Sequence, residues 1–283
     1  MTLKYDSYYR GLMLHFALAG IYILLFTCVW YLLRDDFVAQ RQLSRILVLC
    51  IAAHIVSVLS VRWRQTKLLF RNFLFSPGSP YNLAIFRIIF MIILTSGYSG
   101  WALNDLSGYA SLPASDRASL PLTGWYVHAL PINPDLYKGM CYAGIVCCLL
   151  AIIGILTRWA LLLNIFIAAY VFGVPNFFGK LSHNQLLVWF SIILAFSRCY
   201  DVLSVESLLR KKWNGTSGET RSPAAIYGLP LKLIWLQLGV LYFFAGVYKL
   251  WDSGLLWALG DNAVNQFRVE WLEHYGWLPV MSI

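Results

Sequence analysis

Residues 231–254 read LKLIWLQLGVLYFFAGVYKLWDSG, and from Leu231 to Leu250 the only strongly polar side chains are Lys232, Gln237 and Lys249. Roughly twenty apolar residues in a row are what a helix needs to cross the hydrocarbon of a bilayer. The segment therefore reads as a membrane-spanning helix with a lysine near its end. An ammonium at a helix centre costs roughly 2.5–3.5 kcal/mol on insertion scales and less towards the ends, so Lys249 asks for a reason.

The rest of the chain is of the same kind. It has 283 residues, 59% hydrophobic and only 12% charged, with a mean hydropathy of +0.64. Soluble domains carry about 25% charged residues, so a water-soluble enzyme or carrier is excluded as a class. Aromatic side chains make up 16%, as expected where Trp and Tyr belts flank many spans. Seven runs have the length and apolarity of spans: 12–33, 43–61, 82–101, 139–156, 159–177, 183–200 and 231–250. The expected fold is all-α, a polytopic transmembrane helical bundle of about seven spans. A further apolar run, WLPVMSI at 277–283, is read either as the start of an eighth span or as part of a short outer C-terminal segment, 259–283.

Charge orients these spans, because segments on the cytoplasmic side are rich in Lys and Arg. With the N-terminus cytoplasmic, thirteen basic residues fall inside and seven outside; Arg87 and Lys249, within spans, complete the total of 22. The net charge of +9 is thus a consequence of topology. VRWRQTKLLFR (61–71) is basic with interleaved aromatics. Between two spans it suits lipid headgroups far better than nucleic acid. Of the two long connections, 102–138 is rich in proline and aromatics and reads as a packed lid, while 201–230 carries the polar linker KKWNGTSGETRSP. The six cysteines, mostly inside apolar runs, frame no CxxC or Cys/His pattern. They read as small buried hydrophobes, and no metal site is expected.

In this topology the seventh span delivers Lys249 to the outer end, and the sixth, opening KLSHNQ, starts there with His183 and Asn184. Tyr242, Gly246 and Lys249 share a helix face by i, i+4, i+7 spacing. The structural alternatives are plain. Lys249 can snorkel to headgroups and complement the helix C-terminus, and His183 with Asn184 can cap a helix. Arg87, two turns into the third span, faces the same side as Asp201 and Glu206, with which it is expected to form a structural ion pair.

Three segments together resemble a known family. SPYNLAIFRIIF, then SHNQLLVWFSIILAFSRCYDVLSVESL, then LKLIWLQLGVLYFFAGVYKLWDSGLLW are similar to the HTTM (horizontally transferred transmembrane) domain, which forms the membrane part of vitamin K-dependent γ-carboxylases. The matching positions are Arg87, His183, Asp201, Ser204, Val205, Glu206, Tyr242, Ala245, Gly246, Lys249, Leu250, Trp251 and Gly254. The resemblance covers about 77–258, leaving two N-terminal helices, within 1–76, outside it. It implies a lyase-like carboxylase in which Lys249 is the base that deprotonates a reduced quinone of the vitamin K hydroquinone type, with His183 as a second catalytic residue. Tyr242, Gly246 and Asn184 would line the cofactor site. The chain departs from the carboxylases in two ways: Tyr248 stands where they have a second lysine, and only about thirty residues follow Lys249 where they carry a large domain. Some bacterial proteins with this domain resemble factors that mature peptide toxins of the sporulation-delaying type. The resemblance therefore also allows a non-enzymatic membrane factor for maturation, export or immunity of a secreted peptide. Either reading implies a multi-pass protein of a bacterial inner (plasma) membrane.

Overall fold

The computed structural model describes residues 20–29, 36–116, 131–178, 185–214 and 222–253, together with Met13, Ala17, Leu18, Tyr31 and Leu32. Among these residues the regular structure is helical throughout, apart from a single antiparallel bridge between Gly78 and Ala224. The helices are α1 (Gly20–Val29), α2 (Phe37–Val61), α3 (Trp63–Phe75), α4 (Pro80–Ser96), α5 (Pro134–Ile153), α6 (Thr157–Val171), α7 (Gln185–Ala195), α8 (Val205–Asn214) and α9 (Ala225–Ser253).

Five helical segments among the described residues are long and apolar enough to cross a membrane: Val38–Val61, Pro80–Ser111, Pro134–Ile153, Thr157–Phe178 and Ala225–Asp252. They correspond to the second, third, fourth, fifth and seventh expected runs. The first and sixth expected runs contain the shorter apolar helices Gly20–Val29 and Leu186–Ala195. The described helix of the sixth run ends at Ala195, where the chain turns. Ser197 donates its hydroxyl to Leu194 O and the Cys199 thiol points back to the same carbonyl, closing the helix end locally.

The starts of these helices follow ordinary capping chemistry. Asp36 accepts from Ala39 N at 2.9 Å, and Asn133 accepts from Leu136 N at 2.7 Å with Pro134 next in line. Ser79 caps α4, again with a proline in the first turn. Each side chain satisfies an otherwise orphan amide, and each proline occupies a position whose N–H has no helical partner. The third span is longer than its hydropathy suggests. Beyond Ser96 it continues as wider π-type turns over Gly97–Leu106 and a 3-10 segment over Ser107–Ser111. Hydroxyls of Thr95 and Ser99 donate to the carbonyls of Met91 and Thr95, and such back-bonding loosens the ladder that an α-helix needs. The first ten residues of the expected 102–138 loop thus belong to this rod.

Two compact units are present, Leu69–Gln237 and Met1–Leu68 with Leu238–Ile283. They are defined by contacts, independently of the resemblance boundaries at 76 and 258. In the first unit α5 packs on α6, α6 on α7 and α4 on α5. The core contains Leu83, Met91, Leu94, Tyr98, Cys148, Leu161, Ala168 and Leu194. The Tyr98 ring stacks on Phe172 at 5.2 Å between centroids, and its hydroxyl donates to Asn164 Oδ1 at 3.0 Å. Asn164 in turn donates to Ser191 Oγ at 3.2 Å, so a polar chain crosses the apolar core with its members paired. Gly144 lets this happen: a Cβ there would lie 2.6 Å from Tyr98 Cζ. Gly144→Ala must displace the Tyr98 ring, and overpacking of this kind costs about 1–3 kcal/mol. Its apparent thermal midpoint in detergent should fall by several degrees, whereas Gly100→Ala, where the added Cβ meets nothing within 4 Å, should change it much less.

Candidate functional site

Two polar centres contain the described residues among those singled out by the sequence, one in each unit. In the Leu69–Gln237 unit Arg87 is fully buried on α4. Its guanidinium donates to Cys199 O at 2.9 Å and to Leu203 O at 2.6 Å. The atoms directly bonded are therefore carbonyl oxygens of the turn between α7 and α8, and the charge of Glu206 acts on the guanidinium from nearby. Leu203 adopts φ +50°, a left-handed conformation unfavourable for a branched side chain. The arginine holds that turn by its backbone, at Cys199 and at the strained Leu203 itself.

Asp201 and Glu206 anchor other elements to the same turn. Asp201 accepts from Tyr227 Oη of α9 at 2.9 Å and from Arg210 of α8 at 3.4 Å. Glu206 accepts from Thr157 N at 2.8 Å, which places a carboxylate at the start of α6, whose own preceding residue, Leu156, has no capping side chain. A negative group at a helix N-terminus is favoured by the orphan amides and the helix dipole. The tight α5–α6 turn fits beneath: Gly154 has φ +81°, its carbonyl accepts from Glu206 N at 3.1 Å, and a Cβ there would lie 2.6 Å from Ser204 Cα. Arg87, Asp201 and Glu206 thus meet in one cluster that ties α4, α6, α8 and α9 to a single turn.

Lys249 lies in the other unit, half-buried in the last turns of α9. Tyr242 and Gly246, the same-face residues expected of a cofactor site, are exposed, and a Cβ on Gly246 would meet nothing within 4 Å. Around the helix end the structure adds residues that the sequence reading left apart. Arg41 of α2 donates to Asp252 Oδ1 at 2.7 Å. Arg45, one turn on, donates to Trp251 O at 3.3 Å and sits 5.4 Å from the Trp251 ring centroid. The start of α2 is thereby joined to the end of α9. The i, i+4 spacing of Arg41 and Arg45 was the available signal, but their partners are about two hundred residues away in sequence. His183 and Asn184 fall outside the described residues, as does the 259–283 segment.

On the Lys249 face of α9 the exposed Tyr242 ring and Gly246, whose Cβ position is open, stand two turns and one turn before the amine. Among the described residues no group of three or more His, Cys, Asp or Glu side chains is placed to hold a metal ion. Comparison with protein-family models, curated proteins and solved structures finds no match to this chain.

Arg87→Met removes two charge-assisted bonds and leaves two carbonyls in a buried turn unsatisfied, which should cost about 3–5 kcal/mol. Glu206→Gln keeps the shape and the acceptor for Thr157 N and loses the charge that faces the α6 start, Arg87 and Arg210, a loss of about 1 kcal/mol. Thermal unfolding of the purified variants in one detergent should show Arg87→Met far below wild type and Glu206→Gln slightly below it. The reverse order would mean that the turn is not held by the guanidinium.

Proposed function

We propose that this protein is an HTTM-domain membrane enzyme that uses a reduced quinone at an outward-facing site, with Lys249 as the base. The resemblance of its three segments to the membrane part of the vitamin K-dependent γ-carboxylases gives the reading its chemistry. The observation that carries it is the position of Lys249: half-buried, on the helix face that also carries the exposed Tyr242 two turns before it and the open Gly246 one turn before it. A reduced quinone would supply an acidic ring hydroxyl there. Tyr242 would support the ring face, Gly246 would admit it against the helix backbone, and the Lys249 amine would take the proton. His183 and Asn184, at the start of the sixth run, would orient the ring from a second helix. The neutral amine is the form of a lysine that accepts a proton. The proposed topology is seven spans with the N-terminus cytoplasmic, in a bacterial inner membrane, with Lys249 and His183 at the outer level and carboxylase-like lyase chemistry on a secreted peptide or protein.

A second reading, a non-enzymatic factor that matures, exports or confers immunity to a secreted peptide, is favoured by one residue. Tyr248, exposed on α9, replaces the second lysine of the carboxylase segment, and its ring suits a contact surface better than base chemistry.

Mass spectrometry of lipid-soluble molecules that co-purify with the protein separates the two. Wild type should retain a quinone that is depleted at least tenfold in Lys249→Ala, with equal yield and thermal midpoint for both proteins. A wild-type protein that carries no quinone after growth in quinone-replete membranes, or equal retention by the variant, would overturn the enzyme reading.

A further inference from the structure

We infer that α3 and the turn leading into it bind the anionic headgroups of membrane phospholipids. α2 is long and apolar enough to cross a membrane and ends at Val61, and the next such helix starts at Pro80. Consecutive spans are joined on one side of a bilayer, so residues 62–79 are held at a single membrane face. α3 fills most of this connection, and none of its residues is buried.

Its sequence, WRQTKLLFRNFLF, is amphipathic. Trp63, Phe70 and Phe73, spaced i, i+7, i+10, lie on one side together with Leu69, and all four are exposed. Arg64, Lys67 and Arg71 form a second stripe at i, i+3, i+7 spacing. A helix of this composition places its apolar side at the acyl boundary and its cations among the headgroups. Long basic side chains reach there by laying their methylenes along the apolar surface.

The charge balance of this segment identifies the occupant. From Phe37 to Asn104 the chain contains no Asp or Glu. Among the described residues Arg64, Lys67 and Arg71 enter no ion pair with a carboxylate. At the turn itself a cleft of about 600 Å³ is lined by Ser60, Val61, Arg62, Trp63, Arg64 and Gln65. Two guanidinium-bearing residues flank it, and their planar forks match phosphate oxygens. Trp63 supplies the amphipathic ring favoured at the headgroup level. The ligand class is therefore a phosphodiester headgroup of net negative charge, anchored by its own acyl chains.

Native mass spectrometry of the full chain, released from micelles doped with phosphatidylglycerol or phosphatidylcholine, tests this. Wild type should bind phosphatidylglycerol in preference to phosphatidylcholine, and the preference should shrink as salt rises from roughly 0.05 to 0.5 M. The triple variant Arg62→Gln, Arg64→Gln, Lys67→Gln should bind phosphatidylglycerol about a hundredfold more weakly, with phosphatidylcholine unchanged. If that variant does not fold, Arg62→Lys with Arg64→Lys keeps the charge but loses the forks, and should weaken phosphatidylglycerol binding by less than tenfold. Equal binding of the two lipids by wild type, or displacement of phosphatidylglycerol by a single-stranded oligonucleotide, would overturn the inference. So would an unchanged phosphatidylglycerol affinity in the triple variant.

Discussion

A single buried guanidinium organises the Leu69–Gln237 unit. Burying an arginine is strongly unfavourable unless its donors find acceptors, and Arg87 places Nη1 and Nη2 on the carbonyls of Cys199 and Leu203 while its Nε has no partner among the described residues. The turn so fixed is itself strained at Leu203. That turn then presents Asp201 to Tyr227 and Arg210, and Glu206 to the first amide of α6. The helices of this unit could pack by apolar contact alone. What the cluster adds is register, because a polar group in an apolar medium tolerates few alternative positions.

The second organising contact is the arginine pair at the start of α2. Arg41 and Arg45 grip Asp252 and the Trp251 carbonyl at the end of α9. The bridge is partly exposed, so its contribution to stability is modest. Its consequence is positional: it sets the last turn of α9, and Lys249 with it, against a second helix. The residue sits in a charged, aromatic helix end held in place from outside its own helix.

The sequence made the helical membrane class plain, since apolar runs of span length leave few other folds available. Five of the seven expected runs contain helices of spanning length, with ends displaced by a few residues where Asp36, Ser79 and Asn133 cap them. Hydropathy could not foresee the π-type continuation through Gly97–Leu106, which follows from hydroxyls of Thr95 and Ser99 bonding backbone carbonyls. Nor could it foresee the early close of α7, set by Ser197 and Cys199 bonding back to Leu194. For the polar centres, residue type was informative and partner atoms were not. Arg87 was recognisable as a buried cation needing acceptors, yet the acceptors it bonds are carbonyls of a turn, which no residue pattern records. The bonds of Asn164 to Tyr98 and Ser191, which cross the apolar core, are likewise recorded by no residue pattern.

The proposed chemistry requires two helices to deliver their polar ends to one place, and geometry decides it. An experimental structure of the full chain in a lipid nanodisc would locate the Lys249 amine, the His183 ring and the Tyr242 ring directly. Base chemistry at a quinone predicts that all three line a single cavity, with the lysine nitrogen and the imidazole on opposite edges of a ring-sized space. A Lys249 side chain extended to the headgroups, with His183 facing away from it, would contradict a shared site.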